Sequence, residues 1–241
     1  MSTLEKRGNI FILTITGTDD HRLNPTLLNS LTKNLAKLRA ESTPHSVLIT
    51  TSQGKFFSNG YDLKWAGSTP DNLLPARDST RKTRLILMDS KLRSVVHHIL
   101  TLPMPTIAAV TGHASAGGMA LVLCHDYVIM RRDRGFLYMS EMDIGMIIPS
   151  WFVSLIKSKV GSPKGWREVV MVAAKVTAER GVELGIVDKA VDGAAETVEA
   201  AVEMAEKLIT RKWDGHVYAD NRKVVFAEVL RSLDNKVNSR L

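Results

Sequence analysis

Residues 105–126, PTIAAVTGHASAGGMALVLCHD, constrain this chain more than any other stretch. Pro105 opens an apolar, β-rich run from Thr106 to Val110, and a proline inside a helix would remove a backbone donor and clash with the preceding turn. Small residues follow from Gly112 to Ala116. Gly117-Gly118 then opens the apolar segment Met119 to Leu123. The order reads as strand, tight turn, helix. A Gly-Gly at a helix start leaves backbone N–H groups unpaired and uncrowded, and the helix dipole adds positive potential there. Such a place can hold an anion, or an oxygen that gains charge during a reaction. Close packing of helix on strand is the other reason to find glycine here, and the pattern alone does not separate the two.

The remaining chain alternates in the same way. Residues 9–16, NIFILTIT, read as a strand and 17–20 as a turn. Asn24 and Pro25 are an N-cap and first position for a helix that carries Leu27, Leu28, Leu31, Leu35 and Leu38 at helical spacing. A strand is expected over 46–51, then a glycine-containing loop over 54–63, with a short helix over 61–66. Residues 67–75 have loop composition. A long helix is expected over 80–102, with Leu85, Leu87, Met88, Leu92, Val95, Val96, Ile99 and Leu100 as its apolar face, stopped by Pro103 and Pro105. Strands are expected over 127–130, 135–139 and 186–190, and helices over 149–160, 163–172, 178–184, 193–212 and 217–233. Strands alternating with helices through the first two-thirds argue an α/β fold with mainly parallel strands, followed by a helical C-terminal part.

Composition narrows the function. The 241 residues are 44% hydrophobic and 24% charged, ordinary for a soluble globular chain. No apolar run approaches the length of a membrane span, and the N-terminus has no signal-peptide pattern. One cysteine, Cys124, excludes an internal disulfide framework and a Cys-rich zinc site. The seven histidines show no metal-binding spacing, so no metal is expected. No dinucleotide or P-loop glycine pattern occurs. The net charge of +7 suits an anionic ligand; the basic residues are dispersed, so nucleic acid is not expected. The terminal Ser239-Arg240-Leu241 fits the small–basic–leucine pattern read by the peroxisomal import receptor.

Three segments, GKFFSNGYDL (54–63), GHASAGGMALVLCHDY (112–127) and SEMDIGMIIP (140–149), occur in this order, with HRLNP before them and TAERGVELGIVDKAV after. The ordered set, over residues 9–191, resembles the crotonase superfamily, also called the enoyl-CoA hydratase/isomerase family. The resemblance implies a crotonase-like spiral of ββα repeats over 1–192. It also implies a helical trimerisation region over 193–241, assembly as a homotrimer or dimer of trimers, and an acyl-CoA thioester as substrate. No cofactor is implied, since coenzyme A is part of the substrate. By position, the two backbone N–H groups that hold the thioester oxygen fall on Tyr61 and Gly117. Lys55 and Lys64 match lysines used on the ADP portion, and Ser58, Asn59, Gly60, Asp62 and Gly118 complete the substrate-binding segments.

The acids discriminate within the family. Hydratases use two glutamates; at the first of those positions this chain has Ala120, and at the second Glu141. Retaining the second acid alone is the pattern of Δ3,Δ2-enoyl-CoA isomerases, and IIPSWF at 147–152 is similar to peroxisomal isomerases of plant type. The resemblance then implies that Glu141 carries a proton from C2 to C4. If its apolar neighbours Met139, Met142, Ile144, Met146, Ile147 and Ile148 line the pocket, burial raises its pKa. Asp143 reads as a turn residue. Hydration and dienoyl isomerisation are the alternatives within the family. From other classes come a serine hydrolase, with Ser115 as nucleophile and His216 and Asp188 as partners, and a non-catalytic RNA-binding member.

Overall fold

The computed structural model describes residues 1–17, 20–68 and 78–235. β1 (Ser2–Arg7) and β2 (Ile10–Ile15) form an antiparallel pair with Ser2 opposite Ile15. The turn between them uses Gly8 at φ 58, a left-handed conformation that glycine adopts without a Cβ penalty. α1 (Pro25–Glu41) begins as its sequence dictates. The Asn24 side chain accepts the Leu27 N–H at 3.0 Å, satisfying one of the orphan donors of the first turn, and Pro25 needs no partner there. Leu27, Leu28, Leu31, Leu35 and Leu38 are all buried.

Three strand–strand–helix units follow. In the first, β3 (Val47–Ser52) and β4 (Phe56–Ser58) lead through the short α2 (Leu63–Gly67) to the long α3 (Asp78–Leu100). In the second, β5 (Thr106–Val110) and β6 (His113–Ser115) lead to α4 (Gly117–Leu123). In the third, β7 (Tyr127–Arg131) and β8 (Leu137–Tyr138) lead to α5 (Ser150–Lys159). The first strand of each unit joins a six-stranded sheet of order β1-β2-β3-β5-β7-β9, parallel from β2 onward. The second strand joins a separate parallel sheet of order β4-β6-β8. The chain therefore advances as a spiral of ββα turns. α6 (Pro163–Trp166), a π-helical turn (Arg167–Met171) and α7 (Ala178–Glu183) precede β9 (Lys189–Val191). α8 (Ala194–Thr210), α9 (Gly215–Val225) and α10 (Ala227–Asp234) close the described chain.

The large sheet is covered on both faces, which is why β3 and β5 are buried at every residue. One face packs on α1, α3, α4 and α5 through the main core. The other face, with Ile12, Ile49, Ala109 and Ile129, is covered by Ala200, Ala201 and Ala205 of α8.

Some expectations are corrected. Residues 112–116 are not only a turn: His113–Ser115 form β6, and Phe56–Ser58 in the expected 54–63 loop form β4. Three-residue strands are too short to show a period. The helix expected over 217–233 is two helices, because Phe226 (φ −98, ψ 22) leaves helical geometry between α9 and α10. Leu87 is 42% exposed. It lies two residues from Leu85, off the stripe formed by Leu85, Met88, Leu92, Val96 and Ile99. The loop expected over 67–75 falls, from residue 69 on, outside the described residues, as does Ser239-Arg240-Leu241. Among the described residues no helix is long and apolar enough to cross a membrane.

Candidate active site

The site forms where the loops after β4, β6 and β8 meet, since the small sheet brings the ends of those strands side by side. After β4, Gly60 adopts φ 71 and lets the chain double back against α1's entry, where the Leu23 N–H donates to the Gly60 carbonyl at 2.8 Å. Asp62 then caps α2, accepting the Trp65 N–H at 2.9 Å. Between them the Tyr61 N–H has no acceptor among the described residues. After β6, Ala116 turns the chain into α4 at φ 50 and ψ −119, a conformation that non-glycine residues hold only under constraint from their surroundings. α4 starts at Gly117, whose N–H also has no acceptor among the described residues. The two segments touch: a Cβ built on Gly60 would lie 3.0 Å from the Ser115 carbonyl oxygen and 3.5 Å from the Gly117 nitrogen.

The glycine pair divides its duties. A Cβ on Gly118 would stand 2.1 Å from the Ser58 carbonyl oxygen, which is backbone and cannot retreat. On Gly117 it would meet side-chain atoms instead, the ends of Leu23 and Leu92 at 3.1 Å and the edge of the Tyr61 ring at 3.6 Å. Close packing therefore explains Gly118, and it explains Gly117 only weakly. Gly118→Ala is expected to lower the thermal midpoint clearly, by about 1–3 kcal/mol of stability from overpacking, and Gly117→Ala by less. Equal melting curves for the two variants would contradict this division.

After β8 a tight turn carries Glu141. The Asp143 and Ile144 N–H groups donate to the Ser140 carbonyl at 3.1 and 3.2 Å, and the Met146 N–H to the Glu141 carbonyl at 2.8 Å. The Tyr138 hydroxyl donates to the Asp143 carboxylate, so Asp143 fastens this turn to β8. Glu141 is 6% exposed, and its Oε2 is buried with no hydrogen-bond partner among the described residues. Burial disfavours the ionised form by more than a backbone N–H donor favours it, and pushes the carboxyl up to about 7.

A cavity of about 310 Å³ joins these pieces. Its wall includes Arg22, Asn59, Tyr61 and Leu63 on one side, Ala116 on another, and Ser140, Glu141, Ile144, Met146, Ile147 and Pro149 on the third. Glu141 is the one carboxylate among these. Its apolar neighbours do not all enclose it. Ile144, Met146 and Ile147 line the cavity, whereas Met139, Met142 and Ile148 are outside the lining. Tyr61, Leu63 and Ala116 from the other two loops complete the wall around Glu141.

Of the remaining residues singled out in the sequence, Ser58 is fully buried and its hydroxyl donates to the His21 carbonyl at 2.9 Å. Asn59 lines the cavity and its carbonyl accepts from Arg22 Nη1 at 2.9 Å. Lys55 and Lys64 are exposed and do not line the cavity, with the Lys55 ammonium 5.5 Å from the centre of the Phe56 ring. Ala120, in the first turn of α4, is buried and apolar. Ser115 is hydrogen-bonded to neither His216 nor Asp188. The Asp188 carboxylate instead accepts the Val128 N–H at 2.7 Å, and His216 lies in a different groove, beside Pro44 and Pro103. Among the described residues no cluster of His, Cys, Asp and Glu could hold a metal ion.

Two features escaped the sequence reading. Arg22 stood inside the HRLNP segment without a role. Asp89 bears a signal that went unread. It lies four residues after Leu85 and three before Leu92, so helical spacing alone puts a carboxylate on the buried stripe of α3. It is fully buried and accepts from the Tyr61 hydroxyl at 3.0 Å, the Trp151 indole N–H at 2.9 Å and Arg93 Nε at 2.7 Å.

Comparison with known proteins agrees with this arrangement. The family model described as enoyl-CoA hydratase/isomerase matches residues 5–224. "Enoyl-CoA delta isomerase 1, peroxisomal" of Arabidopsis thaliana is 55% identical over 95% of this chain and 91% of its own length. "Enoyl-CoA delta isomerase 3" of the same plant is 46% identical over 99% and 98%. An apo enoyl-CoA isomerase structure from Mycobacterium tuberculosis superposes with a TM-score of 0.83 at 20% identity, covering 96% of this chain and 93% of that one. That distant likeness carries the fold, and the closer identities carry the family. A family model that spans residues 5–224 and a relative 55% identical over 95% of the chain show that the chain belongs to the enoyl-CoA hydratase/isomerase family.

Proposed function

We propose that the chain is a Δ3,Δ2-enoyl-CoA isomerase, acting in the peroxisome on 3-enoyl intermediates of unsaturated fatty-acid β-oxidation. The observation that carries this reading is the lone acid. Glu141 is the one carboxylate on the cavity wall, one of its oxygens has no partner, and the helix turn where a second acid could stand holds Ala120. Relatives at 55% and 46% identity named enoyl-CoA delta isomerase support it, and two of these relatives are named as peroxisomal.

The thioester oxygen accepts from the N–H groups of Tyr61 and Gly117. Glu141 takes the proton from C2, and the electron pair delocalises over C2–C4 and the thioester, placing negative charge on that oxygen. Donors already fixed toward a developing oxyanion lower the barrier because they need not reorganise, and losing one such donor costs roughly 10²- to 10³-fold. Glu141, now protonated, returns the proton to C4, and the conjugated 2-trans-enoyl-CoA results. Hydration needs a second group to hold and deprotonate water, and Ala120 supplies none.

The other sequence-assigned residues take supporting parts. Ser58, Gly60, Asp62 and Gly118 hold the oxyanion loop in shape, Asn59 borders the acyl thioester, and Lys55 and Lys64, being exposed cations, face the CoA phosphates. Coenzyme A arrives as part of the substrate and no other cofactor takes part. Residues 193–241 form the contacts of a homotrimer or dimer of trimers. The exposure of Val217, Val224 and Val225 on α9, at 60, 76 and 72%, supports that role.

The test is a spectrophotometric assay with 3-hexenoyl-CoA, watching conjugated 2-enoyl thioester appear, beside 2-hexenoyl-CoA as a hydration control. Isomerisation without hydration is expected; hydration as the faster reaction would overturn the reading. The pH profile follows from Glu141. Its base form is the reactive one, and its pKa is raised to about 7. kcat/KM is therefore expected to rise with pH through about 7 and level above it. A glutamate at its ordinary value would give a profile already flat by pH 6.

A further inference from the structure

We propose that Asp89 is a positioning residue for the oxyanion site. By accepting from Tyr61 and Trp151 together, its buried carboxylate holds the donor loop in register with α5, the helix that follows the turn bearing the base. The inference rests on the isomerase reading.

A carboxylate in a hydrophobic core is a poor way to gain stability, because well-packed apolar residues of similar volume usually do as well or better. Asp89 sits on the stripe of α3 that otherwise holds Leu85, Met88, Leu92 and Val96. Its position makes sense through its three donors, which come from three places. Oδ1 accepts both the Tyr61 hydroxyl at 3.0 Å and the Trp151 indole N–H at 2.9 Å. Oδ2 accepts Arg93 Nε at 2.7 Å. Tyr61 supplies one of the two backbone donors. Trp151, fully buried, is the second residue of α5, two positions after Pro149 of the cavity wall and ten after Glu141. Arg93 continues outward, its Nη1 donating to the carbonyls of Leu233 and Asn235 at 3.2 and 2.8 Å, at the end of α10.

The Tyr61 ring is thus held at both ends. Its hydroxyl is fixed on α3 and its backbone on the β4–α2 loop, while its Cε1 lies 3.6 Å from where a Gly117 Cβ would be. An oxyanion donor displaced by a fraction of an ångström still binds the thioester, but stabilises the dienolate less well. Loss of the Asp89 contacts should therefore appear in kcat and leave KM nearly alone.

The experiment compares wild type, Asp89→Asn and Tyr61→Phe. Asp89→Asn has one acceptor oxygen where the carboxylate has two, so it sets an NH2 group either against Arg93 or against Tyr61 and Trp151, and in both orientations it loses the charge that strengthens these bonds. Tyr61→Phe keeps the backbone donor and removes only the hydroxyl. Three quantities are read: the melting temperature, turnover of 3-hexenoyl-CoA, and, as a probe of the site, the near-ultraviolet band of acetoacetyl-CoA bound as its enolate. That band reports the oxyanion site without requiring isomerisation. Both variants are expected to lose roughly tenfold in kcat, with KM within about twofold, and to bind acetoacetyl-CoA with a weaker enolate band. A purely structural Asp89 would lower the melting temperature while kcat and the band stayed at wild-type values, and that result overturns the proposal. If Asp89→Asn does not fold, Tyr61→Phe decides alone. A wild-type protein that forms the enolate band but does not isomerise would sink the isomerase reading, and the band in the variants would then judge Asp89. Absence of both activities in wild type overturns the two together.

Discussion

Glu141→Gln is expected to lower kcat by roughly 10²- to 10⁴-fold, the range typical for loss of a general base, and at the same time to make the protein harder to unfold above pH 7. The two effects share one cause. The wild-type carboxyl is 6% exposed, with Oε2 unpartnered, and burial raises its pKa from 4.5 to about 7. The fold therefore prefers the protonated form. Relative to the unfolded chain, the stability linked to this group is fully present below about 4.5 and is lost as pH rises through about 7. At 1.36 kcal/mol for each pKa unit, ionising Glu141 in the folded protein removes on the order of 3 kcal/mol.

Glutamine has the same shape and carries no charge at any pH, so it escapes that loss. Urea midpoints of wild type and Glu141→Gln should nearly coincide at pH 5 and separate by pH 8, with the variant the more stable. Turnover should be near background at both. A variant with normal turnover would remove Glu141 from the reaction. A variant with lost turnover and no pH-dependent stability gain would show that the wild-type carboxylate finds a partner that the cavity does not supply. The site has a strained backbone at Ala116 and a buried acid with one unpartnered oxygen at Glu141, so it is a place where function works against stability.

The sequence made some of this visible because the physics involved is local. Asn24 and Pro25 announce a helix start whatever lies around them, and five leucines at helical spacing must face one core. Gly117-Gly118 marked a strand-to-helix turn with free N–H groups. It could not tell packing from chemistry, since that depends on the Ser58 carbonyl, sixty residues away, standing where a Gly118 Cβ would be. Glu141 reads from its neighbours as an ordinary turn glutamate. Only the resemblance marked it, because the cavity wall it sits in is completed by Tyr61, Leu63 and Ala116 from distant segments. β4 and β6 were missed for want of length, and the break at Phe226 for want of a glycine or proline. Asp89 was legible in principle, as a charge on an apolar stripe. Its partners Tyr61 and Trp151 lie 28 and 62 residues away and could not be inferred.

Arg222→Met is expected to cost about 3–5 kcal/mol, the range for breaking a buried ion pair by removing one partner. Arg222 Nε donates to Asp126 Oδ1 at 2.7 Å and Nη2 to Oδ2 at 2.5 Å, a two-pronged pair with both side chains largely buried. The same guanidinium also donates to the carbonyls of Ile99, Leu102 and Met104, at 3.3, 2.9 and 2.5 Å. Ile99 lies in the last turn of α3, where helix carbonyls lack intrahelical donors and a cation is favoured by the dipole, so this one side chain caps α3 and fastens α9 to the segment that leads into β5. Methionine fills the volume but leaves the Asp126 charge without its cation and these carbonyls without a donor. Lysine keeps the charge but cannot make the planar fork, so Arg222→Lys should fall between the two. The check is urea unfolding followed by circular dichroism at neutral pH. The expected order of midpoints is wild type, then Arg222→Lys, then Arg222→Met. A methionine variant within 1 kcal/mol of wild type would mean that α9 is held by its apolar contacts and that the fork is incidental. Because Arg222 is not part of the cavity wall, folded Arg222→Met protein should retain its kcat, separating loss of stability from loss of chemistry.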